Sequence, residues 1–154
     1  MQKTSRLIVL LLCLVVGLTI MPIIVQAATT LTVTEAQINT IYSGHVISTT
    51  SYVMSNITAD LQPGKVIISS TITPKVGGAA AIGKLTLKPS VSGGKVTWSI
   101  LSATLNGAPA TGAQMTQLNT MFVSYWTMFM NLYYSGKTVN SVTITATQIS
   151  AVIN

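Results

Sequence analysis

The chain has 154 residues, with eight Lys and Arg against two Asp and Glu, one His and one Cys. Length alone fits a single domain. The scarcity of acids and of histidine excludes most acid–base, triad and metal chemistry, and a basic balance carried by dispersed lysines excludes a nucleic-acid reader, which leans on arginine and on clustered positive charge.

The N-terminus is a targeting signal. Lys3 and Arg6 precede an apolar run from Leu7 to Val25, and Val25-Gln26-Ala27 offers small residues at the −3 and −1 positions of a signal-peptidase site. This predicts cleavage after Ala27, leaving residues 28–154 as one α+β domain in the extracytoplasmic envelope or outside the cell. An uncleaved anchor is the alternative, because the run approaches the roughly 20 residues that span a bilayer; Pro22 and the V-Q-A site favour cleavage. Cys13 lies inside the run, so the remainder has no thiol and no disulfide. It keeps Glu35 and Asp60 against Lys65, Lys75, Lys84, Lys88, Lys95 and Lys137. These lysines serve solubility, or else contact with the anionic heads of a membrane surface.

Thr34 and Gln37 stand three apart ahead of Ile38, Ile41 and Tyr42. That spacing is a capping box opening a short amphipathic helix, with Gly44 placed to close it. From Tyr52 the period becomes two. Val53, Ile57, Ala59 and Leu61 form a strand, Pro63-Gly64 a turn, and Val66, Ile68 and Ile72 the inward face of the next strand, with Ser69, Thr71 and Thr73 outward. Gly77-Gly78 breaks the pattern. Leu85, Leu87 and Val91 then alternate with Lys84, Thr86, Lys88 and Ser90, and Ser92-Gly93-Gly94 makes a second hairpin turn. Val96, Trp98 and Ile100 share one phase whereas Leu101, Ala103 and Leu105 hold the other, which predicts a bulge near Ile100. Asn106-Gly107 and Pro109 end this strand.

Thr111 to Gly136 carries no charged residue, and its large apolar side chains cover roughly 240° of a helical wheel. Read as one helix from Gly112 or Ala113 to Ser135, it is roughly 35 Å long, the length of a ten-residue strand. Thr116, Gln117, Thr120, Ser124, Thr127 and Asn131 form its narrow polar strip. Val139 to Ile153 reads as one closing strand with a phase shift between Ala146 and Ile149. These elements predict a curved antiparallel sheet of about five strands, in the order 4-3-2-1-5, wrapped around one long apolar C-terminal helix, with a short N-terminal helix at one end.

The segments LTVTEAQIN, ADLQPGKVIISSTIT, GKLTLKPSVSGGKVTWSILSATLNGAPA and SVTITATQIS, taken in this order around an apolar helix, resemble the LmeA-like phospholipid-binding family of bacterial envelope proteins. The resemblance spans nearly all of residues 28–154. It implies a sheet curved around a long helix, similar to half of a tubular lipid-binding (BPI-like) module, and phospholipid as ligand. This chain departs from that family in its near absence of acids, its lack of arginine after residue 27, and its methionine- and aromatic-rich helix.

No catalytic constellation appears. His45 with Asp60 or Glu35 lacks a serine in a nucleophile elbow, the two acids fall on different elements, and Gly93-Gly94-Lys95 lacks the spacing of a phosphate loop. No cofactor or metal is expected, and the chain is read as a non-enzyme. Asn56-Ile57-Thr58 matches a glycosylation acceptor but carries no meaning in a bacterial export product. Met115, Met121, Met128 and Met130 fill a core or line an adaptable apolar groove. An open groove would be lined by Met115, Leu118, Phe122, Tyr125, Trp126, Phe129, Leu132, Tyr133 and, from the sheet, Trp98, holding a lipid or another apolar small molecule. The alternative is a structural or adhesive module that covers its apolar helix by self-association or by strand addition at Val139 to Ile153. Oligomeric state is left open by the sequence.

Overall fold

The computed structural model describes residues 28–124, 126, 127, 130, 134 and 136–154, with the backbone alone at Gln117 and Met121. The expected cleavage site after Ala27 and the apolar run before it lie outside the described residues. Among these residues the chain forms strand β1 (Thr29–Thr34), helix α1 (Glu35–Tyr42), strands β2 (Ile47–Ser48), β3 (Tyr52–Gln62), β4 (Lys65–Pro74), β5 (Ala81–Ser92), β6 (Lys95–Leu105) and β7 (Ala108–Pro109), helix α2 (Gly112–Leu118), a π-helical segment Asn119–Val123, and strands β8 (Val139–Ile144) and β9 (Gln148–Ile153).

Two antiparallel sheets result: a six-stranded meander in the order β2-β3-β4-β5-β6-β7 and a three-stranded sheet in the order β1-β9-β8. The turns of the β3–β4 and β5–β6 hairpins lie at one end of the larger sheet, and the smaller sheet is tied to both. Gly64 N donates to Ile144 O at 3.0 Å, and Val139 N donates to Gly94 O at 2.8 Å. At this end Leu61, Val66, Leu87, Val96, Val139, Ile144 and Ile149 are all buried, which excludes water from two sheet faces at once.

The fold differs from the one expected. A five-stranded sheet wrapped around one long C-terminal helix, the architecture that the resemblance also implied, is replaced by two sheets of six and three strands. The α-helix Gly112–Leu118 is interrupted by a π-helical turn, after which Ser124, Trp126, Thr127 and Met130 are again α-helical. The polar strip explains part of this. Thr116 Oγ1 donates to Gly112 O at 3.0 Å, Thr120 Oγ1 to Thr116 O at 3.0 Å, and Ser124 Oγ to Thr120 O at 2.7 Å. Hydroxyls bonded back to the carbonyl four residues earlier compete with the helix's own ladder and bend it, and a π turn rotates every later side chain away from its place on a regular wheel.

The closing segment is also two strands. The phase shift between Ala146 and Ile149 marks a hairpin turn in which Thr145 Oγ1 accepts from Thr147 N at 3.3 Å and Gln148 N at 3.2 Å. That strand was expected beside β3, but β9 pairs with β1 instead, Thr29 opposite Ile153 through Thr34 opposite Gln148. Residues before Thr34, read only as the approach to a helix, are the third strand of that sheet.

Other local expectations hold. Thr34 and Gln37 form the capping box of α1. The β5–β6 register shifts between Thr86 and Leu87, leaving Leu101 as the extra residue, 54% exposed. A second shift, between Ser55 and Thr58, was not expected. Asn56, at φ +50, sits in this bulge and reverses the phase, so Tyr52 and Met54 face the same side as Ile57, and Val53 does not.

Candidate functional site

Away from the hairpin turns, the apolar face of the six-stranded sheet is incompletely filled. A cavity of about 210 Å3, partly open to solvent, lies between this end of β3–β6 and the segment from Ala110 to Phe122. Its sheet wall is Tyr52, Met54, Ile68, Ser70, Ile72, Gly83, Leu85 and Leu105, and its helical wall is Ala110, Gln114, Leu118 and Phe122. Lys84 and Thr104 border it, but they pair across β5 and β6 at the positions between the inward residues, and alternation turns their side chains to the opposite, wet face.

The opening has a local cause. Ser70 and Gly83 are directly opposite one another on β4 and β5, so two of the smallest side chains meet where large ones fill the rest of the face. A Cβ built on Gly83 would stand 2.7 Å from Ile72 Cδ1 and 3.6 Å from Ser70 Oγ. The tip of Ile72 therefore already packs against the glycine, and an alanine methyl there would have to displace it. Among the described residues Ser70 is the one polar residue that is buried, at 6% exposure. Tyr52, at the cavity, has its phenol pushed upward by desolvation.

Tyr42, Trp98 and Trp126 make a separate cluster. The ring of Trp126 stacks on Tyr42 of α1, with centroids 6.0 Å apart and planes 9° from parallel. It meets Trp98 of β6 edge to face, 5.4 Å apart and at 89°. Trp126 and Met130 are wholly buried and Trp98 nearly so. These rings lock α1 to β6 through the helical segment; they belong to core rather than groove. The burial of Tyr42 drives its phenol well above the ordinary range.

Of the residues expected to line a groove, Leu118 and Phe122 border the cavity described above. Met115 packs against the core, and Trp98 and Trp126 are core. Tyr125, Phe129, Leu132 and Tyr133 lie outside the described residues. Sequence reasoning missed the sheet wall, although Ile68, Ile72 and Leu85 carried its signal as inward strand positions; Met54 joins them only through the bulge at Asn56. Among the described residues no group of three or more His, Cys, Asp or Glu side chains is placed to hold a metal ion, and no helix is long and apolar enough to cross a membrane, which leaves strand spanning aside. Comparison of the chain with protein-family models, curated proteins and solved structures finds no match.

Proposed function

We propose that this chain is an exported, non-enzymatic binding protein that holds an apolar ligand between the open end of its six-stranded sheet and the helical segment beside it. The observation that carries this reading is the apolar cavity of about 210 Å3. Its volume exceeds that of cavities, about 150 Å3, that bind benzene, and falls short of the roughly 300 Å3 at which pockets for drug-sized ligands begin. A segment of one acyl chain, or a compact apolar molecule, fits within it. A whole phospholipid does not, so a lipid would insert part of one chain and leave its head outside. The Val25-Gln26-Ala27 site supports export.

Native mass spectrometry of the purified chain, followed by solvent extraction, tests the reading. A co-purifying apolar molecule, or a rise in Tm with phospholipid, free fatty acid or small cyclic hydrocarbons, is expected. If no ligand co-purifies and no member of the panel shifts Tm, the proposal fails.

A second reading, strand addition to a like or unlike chain, is favoured by one observation. Among the described residues β1 is an edge strand of alternating threonines, TTLTVT, with half of its residues exposed, and nothing in its sequence has the charge or proline that blunts such edges. Light scattering across a concentration series separates the readings: a monomer that carries ligand supports the first, and a ligand-free polymer the second.

A further inference from the structure

The geometry points to a ligand class narrower than lipid: a compact, uncharged molecule with an apolar ring or short chain and a single hydroxyl or carbonyl group, anchored by the hydroxyl of Ser70 in the cavity wall. This inference rests on the binding reading above and deepens it. Ser70 is buried at 6% exposure and lines the cavity. Its Oγ enters none of the side-chain hydrogen bonds found among the described residues. The hydroxyl lines the cavity together with the Tyr52 and Gln114 side chains, and a ligand atom that can donate or accept at that point adds a hydrogen bond the fold itself does not make.

Charge on the ligand is disfavoured by the same walls. No Lys, Arg or His stands at an inward position of β3, β4, β5 or β6 among the described residues, since Lys84 and Lys88 alternate outward and are exposed. A carboxylate carried into the cavity would lose its hydration with no cation to replace it. Volume sets the other limit. The cavity is about 210 Å3, and at Gly83 the tip of Ile72 already packs where a side chain would stand.

Three probes with one ring and different heads test this on the purified chain: cyclohexane, cyclohexanol and cyclohexanecarboxylate, each titrated into the parent and into Ser70→Ala. Cyclohexanol should lose about fivefold in affinity on Ser70→Ala, the size of one neutral hydrogen bond, while cyclohexane keeps its affinity. The carboxylate should bind the parent at least about tenfold more weakly than the alcohol. Equal cyclohexanol affinity in parent and variant, or a carboxylate that binds as well as the alcohol, overturns the inference while leaving the cavity reading intact. If cyclohexane itself does not bind the parent, the cavity reading falls and this inference with it. Should Ser70→Ala fold poorly, Ser70→Cys, close in shape and a weak hydrogen bonder, must reproduce the selective loss.

Discussion

Asn39 of α1 satisfies both backbone groups of Ala59 on β3: its Nδ2 donates to Ala59 O at 2.8 Å and its Oδ1 accepts from Ala59 N at 2.7 Å. Two residues along, the Glu35 carboxylate accepts from Leu61 N at 2.7 Å. The short β2 covers only the start of β3, so helix side chains stand in for the missing strand along its remaining edge. This is how the fold blunts an edge that would otherwise recruit another chain. Asn39→Ala should lower stability by about 2 kcal/mol, the cost of two unmade and partly buried hydrogen bonds, and should raise aggregation at high concentration. Asn39→Asp keeps the acceptor and loses the donor, so urea melts should place it between parent and alanine variant.

Trp126 and Leu118 separate core from cavity wall. Trp126 is wholly buried between Tyr42 and Trp98, so Trp126→Ala should cost about 3–5 kcal/mol in a denaturant melt. Leu118 lines the cavity and is only partly buried, so Leu118→Ala should cost the empty protein about 1 kcal/mol, since less apolar surface leaves water there, and should weaken apolar ligands. Equal losses for the two variants would contradict the separation of core from cavity wall.

The turn at Gly93-Gly94 joins the sheets. Both residues have positive φ, +56 and +73, as a two-residue hairpin of this hand requires, and a Cβ on Gly94 would stand 2.8 Å from Thr138 Cγ2. Gly94→Ala should therefore destabilise by about 1–2 kcal/mol through backbone conformation alone, with a further loss as Thr138 is displaced beside the Val139–Gly94 hydrogen bond. Thermal melts of Gly94→Ala against Gly93→Ala, where nothing stands within 4 Å, isolate the steric part.

Much of the larger sheet was legible in the sequence, and the reasons are local. Alternation in Val66, Ile68 and Ile72, and in Leu85 and Leu87, needs only the period of the pleat, and the double phase at Ile100 and Leu101 declared a bulge. What escaped depends on partners distant in the chain. Thr29–Thr34 has too few apolar residues to read as a strand until β9 lies beside it. The turn at Thr145–Thr147 contains no glycine, proline, asparagine or aspartate and is held by a threonine hydroxyl. The cavity arises because Ser70 faces Gly83, a fact of register that neither strand shows alone. The helix was misjudged because its wheel was taken as regular through Thr116, Thr120 and Ser124, whose hydroxyls bond back to their own backbone.

Alkaline pH should unfold the protein earlier than its composition suggests. Desolvation raises the phenols of both Tyr42 and Tyr52 above the ordinary 10.0. The folded state therefore keeps its protons where the unfolded chain gives them up. That stability is fully present below pH 10 and is lost as pH climbs from there toward the folded values. Tm should be flat from pH 7 to 9 and fall beyond pH 10, and Tyr42→Phe should flatten the fall. A Tm that rises or stays level above pH 10 would run against this sign.

Methyl NMR of the purified chain under a titration of cyclohexane addresses the cavity itself. Met54, Ile68, Ile72 and Leu85 line it, whereas Ile38, Ile144 and Ile149 are buried and do not. Saturable shifts confined to the first group, weakened in Gly83→Ala, are the predicted result. Shifts that spread evenly over both groups, or none up to the solubility limit of cyclohexane, would contradict the claim that this end of the sheet is built to hold an apolar guest.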